Sequence, residues 1–398
     1  MNGSDGNLFY AAFIPGLQNI IADVIKERLR NNEVKIHKLL DGAVLFETDA
    51  TYDKLNFFCF NNIFAVISVL EYPLAEAQRH KERKELILEN CINQIINKKI
   101  KFNENIIKNN SKKFNTFRIV VSDENVPASI SEKLRTEAEN FIAKLSGLKV
   151  NRSLPDTEFW FLYRNEDNNK QNFSIFMKRL TIRPSWEKTL HKGELMPPLA
   201  WVLCRLAGIK HSDTVLDPFC GYGSIPEAAF KYFHITKFIA CDNDSEAAKY
   251  STARFKKQKN ASGVDCDDKF KFYKTDFCEL PMLLKGITID AIVTDPPWGH
   301  FKEISEDLFL PKMFETFDKL LKDGGRAVVL YKNDEKFKNM ISASFELHEQ
   351  VPILLSGKKA VIYTLKKTLS QNKEEKASRQ GAKITENAKF LSTVLLNL

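Results

Sequence analysis

From Thr214 onwards, short apolar runs alternate with longer amphipathic stretches. The runs are rich in β-branched and aromatic residues and predict strands, and the stretches repeat apolar residues at helical spacing. Such alternation predicts a mostly parallel sheet with helices on both faces, and the last two runs are close enough to form an antiparallel hairpin. The predicted strands are 214–216, 238–241, 270–273, 289–293, 326–331, 345–351 and 360–365, with helices to about Phe233, through Phe255 and from about Pro311 to Leu321.

The first 182 residues show a different order of apolar and polar positions. Apolar residues at 9–17 precede an amphipathic stretch to about Arg30, and strand-like runs follow at 43–48 and 63–70. This pattern predicts a small α+β unit, and a second unit follows with the order strand, helix, strand, strand. Its predicted elements are 117–122, 131–145, 157–163 and 173–179, with Gly147 placed to end the helix.

These patterns divide the chain into five segments. Two mixed domains come first, then a linker with a helix, then the alternating domain, and last a polar tail. The expected fold class is α/β, with a mostly parallel sheet and a C-terminal antiparallel hairpin, preceded by two α+β domains. The predicted boundaries are 1–105, 106–182, 183–212, 213–367 and 368–398.

Composition argues against several classes of protein. Of the 398 residues, 43% are hydrophobic and 28% are charged, which is ordinary for a soluble globular chain. No run approaches the roughly 18 apolar residues of a membrane helix, and the polar start Met1–Gly6 is unlike a signal peptide. We therefore expect a cytoplasmic protein without a membrane partner. The seven cysteines and seven histidines are scattered without ligand spacing, so we expect neither a disulfide framework nor a metal site.

The net charge of +8 is concentrated in two segments. Residues 81–118 carry ten Lys/Arg against four Asp/Glu, and residues 366–398 carry seven against three, so the rest of the chain is slightly acidic. Basic segments on a near-neutral body suit RNA, because neutralising phosphates releases counterions. The alternative is that these lysines are solvated helix faces and a loose tail, and the charge pattern fits it equally well.

A glycine-rich motif, Asp217–Ser224, follows the first predicted strand of the alternating domain. Gly221 and Gly223 lack a Cβ atom, so the backbone can turn tightly and approach a ligand, and the next helix offers free N–H groups. The third glycine of a dinucleotide motif is absent, and no phosphate-loop Gly-Lys-Ser/Thr follows. The motif therefore favours S-adenosylmethionine, a cofactor without phosphates whose ammonium and carboxylate groups would meet Asp217 and the backbone of the turn.

Two further aspartates end the next two predicted strands. Asp242 follows the second strand, where a carboxylate can accept both hydroxyls of a ribose, and Asp276 follows the third. The alternative is that both are helix caps or turn residues. With the residues that adjoin them, the predicted cofactor-binding set is Asp217, Phe219, Gly221, Gly223, Asp242, Asn243, Asp276 and Phe277.

A second motif, Asp295-Pro296-Pro297-Trp298, follows the strand at 289–293 and so lies at the carboxyl edge of the predicted sheet. Its two prolines make a rigid loop that offers carbonyl acceptors and no N–H donors of their own. Hydrogen bonds from an exocyclic base amine to the Asp295 carboxylate and the Pro296 carbonyl would aim the nitrogen lone pair at a methyl donor. We expect all four residues to be catalytic, with Trp298 stacked on the base. The alternative is a simple turn with a core tryptophan.

These motifs, in this order, resemble those of the class I S-adenosylmethionine-dependent methyltransferases. Gly193–Ala200 followed by Asp217–Gly221 is similar to the THUMP-domain tRNA guanine-N2 methyltransferases. In the N-terminal half, 117–122 and 149–159 are similar to a THUMP module. The chain departs from the family at Tyr222-Gly223-Ser224, where Ser-Gly-Thr is more frequent, and at Trp298, where Tyr or Phe is usual.

The resemblance extends over about residues 9–365 and implies an architecture. It implies a ferredoxin-like domain at 1–105, a THUMP-like RNA-binding domain at 106–182 and a Rossmann-like methyltransferase domain at 213–367. In the family, the THUMP module is implied to grip the tRNA 3′ end and so to set the distance to the target base.

The function expected from the sequence is methyl transfer to the exocyclic N2 of a guanine in structured RNA, most consistent with the tRNA acceptor stem. Two alternatives stay open, adenine-N6 methylation and RNA binding by an inactive methyltransferase fold. The sequence leaves undecided which RNA is the partner and whether a small activating protein is needed.

Overall fold

The structure is a computed structural model that describes residues 7–55, 57–72, 84–108, 114–124, 126–166, 171–180, 190–262, 269–299, 305–332, 335–355 and 357–369. Contacts between residues divide the chain into two compact units, residues 1–187 and 188–398. Most of the predicted tail lies outside the described residues. No helix in these described ranges is both long and apolar enough to cross a membrane.

The first unit is built on one nine-stranded sheet, in the order β2-β3-β1-β4-β9-β8-β5-β6 with β7 paired to β5. Most neighbours are antiparallel, but β5 and β8 run parallel. The strands are β1 (Asn7–Ala12), β2 (Val34–Leu40), β3 (Ala43–Thr48), β4 (Asn62–Tyr72), β5 (Thr116–Asp123), β6 (Val126–Pro127), β7 (Lys149–Val150), β8 (Thr157–Glu166) and β9 (Gln171–Arg179). The helices are α1 (Gln18–Arg28), α2 (Lys84–Ile96), α3 (Glu104–Ile107) and α4 (Glu132–Ser146), with a 3₁₀ turn at Tyr52–Leu55.

Helix α4 follows directly from the sequence pattern. Its residues Leu134, Ala138 and Ile142 are buried in one cluster with side chains of α2, β5 and β8. Gly147 ends the helix in a left-handed conformation with φ of 73°, which a residue without a Cβ atom adopts easily. The strands of both predicted N-terminal domains lie in one sheet, because β4 pairs antiparallel with β9. The domain division therefore stays a prediction.

The second unit contains a seven-stranded sheet in the order β12-β11-β10-β13-β14-β16-β15. The first five strands are parallel, and β16 pairs antiparallel with β14 and β15. This arrangement confirms the expected fold class. The strands are β10 (Thr214–Asp217), β11 (Lys237–Asp242), β12 (Phe270–Lys274), β13 (Ile289–Thr294), β14 (Leu321–Lys332), β15 (Phe345–Leu355) and β16 (Lys358–Lys367). The helices are α5 (Pro197–Leu206), α6 (Ser224–Phe233), α7 (Ser245–Ser262), α8 (Leu280–Leu283), α9 (Glu306–Leu320) and α10 (Glu335–Met340), with a 3₁₀ turn at Phe277–Glu279.

The predicted start of the last long helix at Pro311 is wrong, since α9 begins at Glu306. The carbonyl of Ser305 accepts hydrogen bonds from the N–H groups of Leu308 and Phe309, so the first turn closes before the proline. A proline inside a helix removes one backbone hydrogen bond. The buried face of α9, which includes Leu310 and Phe314, packs into the core of the second unit and compensates for that loss. The earlier start brings Phe309 into a helix that faces the sheet edge.

The topology decides where chemistry can occur in this unit. β10 pairs in parallel with both β11 and β13, so the carboxyl ends of these strands lie side by side. Because the chain order reverses its direction across the sheet at β10, this is the switch point at which open α/β sheets bind ligands. Asp217 ends β10, Asp242 ends β11, and Asp295 directly follows β13.

Candidate active site

The glycine-rich turn joins β10 to α6 in a conformation that only glycine adopts readily. Gly221 and Gly223 have φ values of 51° and 89°, in the left-handed region. A Cβ atom on Gly223 would lie 2.8 Å from Ser251 Oγ and 3.1 Å from Phe255 Cε2 on α7. Position 223 thus requires glycine for its backbone and for the space around it. The turn itself is tied to β11, because Gly221 N–H donates to Asp242 Oδ2 at 2.7 Å.

Asp217 is almost fully buried, at 1% exposure. Its Oδ1 accepts hydrogen bonds from Thr294 Oγ1 at 2.7 Å and from the Phe219 N–H at 3.1 Å. Its Oδ2 is buried and has no hydrogen-bond partner among the residues that the structure describes. Burial raises the pKa of the Asp217 carboxyl to about 8, although the bond from Thr294 opposes that rise. Such a group is suited to pair with a positively charged ligand atom.

Asp242 makes a turn bond and Asp276 makes a capping bond, as the alternative interpretation expects. Asp242 Oδ1 accepts from the Asp244 N–H at 2.9 Å, and Asp276 Oδ1 accepts from the Cys278 N–H at 2.9 Å. Burial raises the pKa of Asp242, against the hydrogen bonds from Asp244 and Gly221. Both aspartates also line the cavity described below, and a carboxylate has about four lone-pair sites. These turn and capping bonds therefore leave both carboxylates with acceptor capacity for a ligand.

The Asp-Pro-Pro-Trp loop follows β13 and contains a hydrogen bond between two of its own residues. The indole Nε1 of Trp298 donates to Asp295 Oδ1 at 2.9 Å. Burial raises the pKa of Asp295 to about 7, while the bond from Trp298 acts to lower it. The Trp298 ring is half-buried and packs against the hydrophobic core of this unit. Its predicted stacking on a base stays a prediction.

The carboxyl edge of the sheet surrounds a cavity of about 360 Å³, within the roughly 300–1,000 Å³ typical of small-molecule sites. Of the predicted residues, three do not line it, namely Gly223, Pro296 and Trp298. The predicted residues that do line it are Asp217, Phe219, Gly221, Asp242, Asn243, Asp276, Phe277, Asp295 and Pro297. Both motifs therefore open into one space. Within the described ranges, no group of three His, Cys, Asp or Glu side chains could hold a metal ion.

Phe309 is a lining residue that sequence reasoning missed. It lies on α9 and forms an aromatic group with Phe219 and Phe277, at ring-centroid distances of 5.5 and 5.6 Å. The rings of Phe219 and Phe277 are 4.9 Å apart. These aromatic side chains give the cavity an apolar lining beside its carboxylates, as flat heterocyclic ligands require. Placing the start of the helix at Pro311 excluded Phe309 from consideration.

A partly buried ion pair was also not predicted from the sequence. Glu194 Oε1 accepts from Arg254 Nη1 at 2.8 Å and from Ser224 Oγ at 3.2 Å. Arg254 donates to the carbonyl of Tyr222 at 3.0 Å and also pairs with Glu227. The pair therefore ties the segment before α5 to the glycine-rich turn and to α7. No local pattern signals it, because Glu194 and Arg254 are 60 residues apart.

Comparison with known proteins finds one family model and several relatives that match part of this chain. Residues 184–352 match a family model described as UPF0020, RMKL-like, methyltransferase domain. The tRNA (guanine(10)-N2)-dimethyltransferase of Methanocaldococcus jannaschii is 30% identical over 220 residues, which are 52% of this chain and 59% of that protein. The U6 snRNA (guanine-N(2))-methyltransferase THUMPD2 of Bos taurus is 29% identical over 195 residues, 48% of this chain and 36% of that protein. The chain thus matches less than two thirds of the length of either relative.

Among solved structures, TrmN from Thermus thermophilus superimposes with a TM-score of 0.67 at 20% identity, over 91% of this chain and 99% of that one. A structural similarity at 20% sequence identity establishes the fold alone. Together with the family match, it confirms the resemblance to class I methyltransferases that the motifs indicated.

Gly223→Ala is expected to lower the free energy of unfolding by more than Gly286→Ala. Both glycines have positive φ, which costs another residue about 1–2 kcal/mol. A Cβ atom at position 286 meets nothing within 4 Å, whereas at position 223 it meets Ser251 and Phe255. Urea unfolding of the two variants measures the difference. Equal losses would show that α7 does not constrain the turn.

Asp217→Asn is expected to stabilise the ligand-free protein by an amount that grows between pH 4 and pH 8. The folded pKa of about 8 exceeds the ordinary value of about 3.9, so ionisation favours the unfolded state throughout this interval. Asp290→Asn is the matched control, and it is expected to destabilise the protein where Asp217→Asn stabilises it. Although partial burial acts to raise the pKa of Asp290, bonds from Lys322 and Thr214 lower it. Urea unfolding at several pH values measures the free energy of unfolding of both variants. If the gain in stability of Asp217→Asn did not depend on pH, the raised pKa of Asp217 would be contradicted.

Proposed function

We propose that this protein transfers a methyl group from S-adenosylmethionine to the exocyclic N2 amine of a guanine in RNA. The observation that carries the proposal is that both motifs open into the same cavity, which both Asp217 and Asp295 line. A methyl donor and a methyl acceptor must meet in line, and two ligand-binding motifs on adjacent parallel strands provide that arrangement.

The cofactor half of the cavity fits the proposed cofactor. The buried Oδ2 of Asp217 accepts no hydrogen bond from the described part of the chain, so it is suited to accept from an ammonium group such as that of a methionine moiety. Asp242 retains acceptor capacity for ribose hydroxyls, and Phe219 and Phe277 offer ring faces to an adenine. When bound, S-adenosylmethionine supplies an electrophilic methyl group on a sulfonium.

Asp295 and Pro296 would orient the amine of the target base. An amine conjugated to a base ring is a weak nucleophile, so its lone pair must be aimed before it can react. A hydrogen bond from one N–H group to the Asp295 carboxylate, which lines the cavity, would provide that aim. The second bond, to the Pro296 carbonyl, is a prediction from the motif alone, because Pro296 is not a lining residue. As the C–N bond forms and the bond between the methyl group and sulfur breaks, the sulfur would leave as a neutral thioether, and the nitrogen would become positively charged with an acidic proton. A carboxylate with a pKa raised to about 7 by burial can take that proton.

Two observations support guanine in RNA as the acceptor. The two curated relatives above are named as guanine-N2 methyltransferases, one of tRNA and one of U6 snRNA. The first unit contains the whole basic segment 81–118, which suits a phosphate backbone. We propose that residues 1–187 bind the RNA, with tRNA as the first candidate. A small activating protein partner is a further expectation from the sequence, and the assay below includes it.

Incubation with labelled S-adenosylmethionine and unmodified tRNA is expected to yield N2-methylguanosine, identified by nucleoside mass spectrometry. U6 snRNA in a parallel reaction distinguishes the two RNA classes, and both reactions are repeated with the proteins that co-purify with the chain. N6-methyladenosine in place of N2-methylguanosine would overturn the base assignment. The absence of any methylated nucleoside from all four reactions would overturn the enzymatic function.

Asp295→Ala is expected to lower kcat by at least about 10²-fold, because the variant loses the group that orients the amine. Cofactor affinity should stay close to wild type, since Asp217 and the glycine-rich turn are unchanged. Glu315→Ala removes an exposed carboxylate from α9 and is the matched control, with activity retained. Calorimetric titration with S-adenosylhomocysteine provides the affinity. A comparable loss of affinity in Asp295→Ala would contradict the assigned role.

A further inference from the structure

The Asp-Pro-Pro-Trp loop contains its own hydrogen-bond donor to its carboxylate. Trp298 lies three residues after Asp295, and its indole Nε1 donates to Asp295 Oδ1 at 2.9 Å. An indole N–H is only a donor, so the direction of this bond is fixed by chemistry. The ring is half-buried and packs against the hydrophobic core beneath the sheet edge. The donor therefore sits on a rigid support and does not swing freely in solvent.

This hydrogen bond makes the two oxygens of the Asp295 carboxylate inequivalent. Because Oδ1 accepts the indole N–H, rotation of the carboxyl group about its terminal bond would break a hydrogen bond to an ionised group, which is stronger than one between neutral groups. The prolines at 296 and 297 restrict the backbone between donor and acceptor. Asp295 itself lines the cavity, whereas Trp298 does not. The geometry thus assigns Oδ1 to the protein and leaves Oδ2 for a substrate.

We propose that Trp298 is a positioning residue that acts through Asp295, holding Oδ1 by its indole N–H so that Oδ2 accepts the hydrogen bond of the target amine. The proposal deepens the methyltransferase function proposed above and rests on it for the identity of the amine. It assigns the aromatic residue of the motif a role in orienting the carboxylate, distinct from stacking on the base.

The same bond affects the ionisation of the carboxylate. Burial raises the pKa of Asp295 to about 7, and the hydrogen bond from Trp298 favours the ionised form and opposes that rise. Among the described residues, Asp295 also interacts with Asp217 at the end of β10, whose pKa burial raises to about 8, and Asp242 on β11 interacts with Asp217. Both Asp217 and Asp295 titrate near neutral pH, so a single midpoint in activity belongs to the coupled pair. Removing the indole donor should move that midpoint upwards.

The kinetic test compares wild type with Trp298→Phe, which keeps an aromatic ring and loses the donor, and with Trp298→Leu, which loses both. For Trp298→Phe, the midpoint of the acidic limb of kcat should rise by about one pH unit. At pH 7 this shift lowers kcat roughly fivefold, and kcat recovers towards wild type by about pH 9. KM for S-adenosylmethionine should not change. An unchanged midpoint in Trp298→Phe, with activity lost at every pH in Trp298→Leu, would assign Trp298 to base stacking and overturn the proposal.

A second measurement does not depend on activity. The chain has four tryptophans, so the indole region of an ¹⁵N–¹H correlation spectrum is simple, and Trp298→Phe assigns the Trp298 signal by its loss. That signal should shift with pH, with a midpoint near neutrality. The shift should disappear in Asp295→Asn and persist in Asp217→Asn. A signal that does not respond to pH, or that responds equally in Asp295→Asn, would overturn the inference.

The two measurements separate the two proposals. If the wild-type chain methylates no RNA while the indole signal titrates through Asp295, then the proposed function fails and the contact is established. If the chain forms N2-methylguanosine while the signal and the pH profile of Trp298→Phe match wild type, then only the positioning role fails.

Discussion

The hydrogen bond from Thr294 Oγ1 to Asp217 Oδ1, at 2.7 Å and fully buried, joins the two halves of the site. Asp217 ends β10 and opens the glycine-rich turn, while Thr294 ends β13 and immediately precedes Asp295. The bond therefore fixes the last residues of two neighbouring parallel strands relative to each other, 77 residues apart in the chain. Every distance between a ligand held by the turn and a ligand held by the Asp-Pro-Pro-Trp loop depends on this link. Its position in the dry core excludes water as a competing partner.

Sequence patterns were sufficient for the second unit because its elements are locally encoded. β-branched runs, amphipathic stretches and turn glycines each carry their own signal, so the alternation of strands and helices, the mostly parallel sheet and the C-terminal hairpin could be predicted. The positions of Asp217, Asp242 and Asp295 at the ends of strands followed from the same signals. Contacts that depend on the third dimension could not. The Glu194–Arg254 pair joins residues 60 positions apart, and Phe309 enters the cavity only because α9 starts before its proline. The sequence also does not predict the orientation of the Trp298 side chain, because a motif does not specify the conformation of its side chains.

The first unit shows the same limit on a larger scale. The sequence separates two mixed α+β segments, but β4 and β9 pair antiparallel across more than a hundred residues. Long-range antiparallel pairing has no local signature, because either strand could have remained an edge. The resulting sheet continues from one predicted segment into the other. Backbone hydrogen bonds between β4 and β9 therefore join the two predicted segments directly.

The Oδ2 atom of Asp217 accepts no hydrogen bond from the described residues, and this has a thermodynamic consequence for ligand exchange. With a pKa of about 8, the carboxyl group is mostly protonated at neutral pH when no cation is near it. A ligand that brings an ammonium group to Oδ2 would favour the ionised form, so each binding event would release a proton to solvent. Association would then be linked to pH, weaker in acid and stronger towards pH 8. The heat of binding would also depend on the buffer that takes up the proton. The buried acid thus couples occupancy of the site to the proton activity of its surroundings.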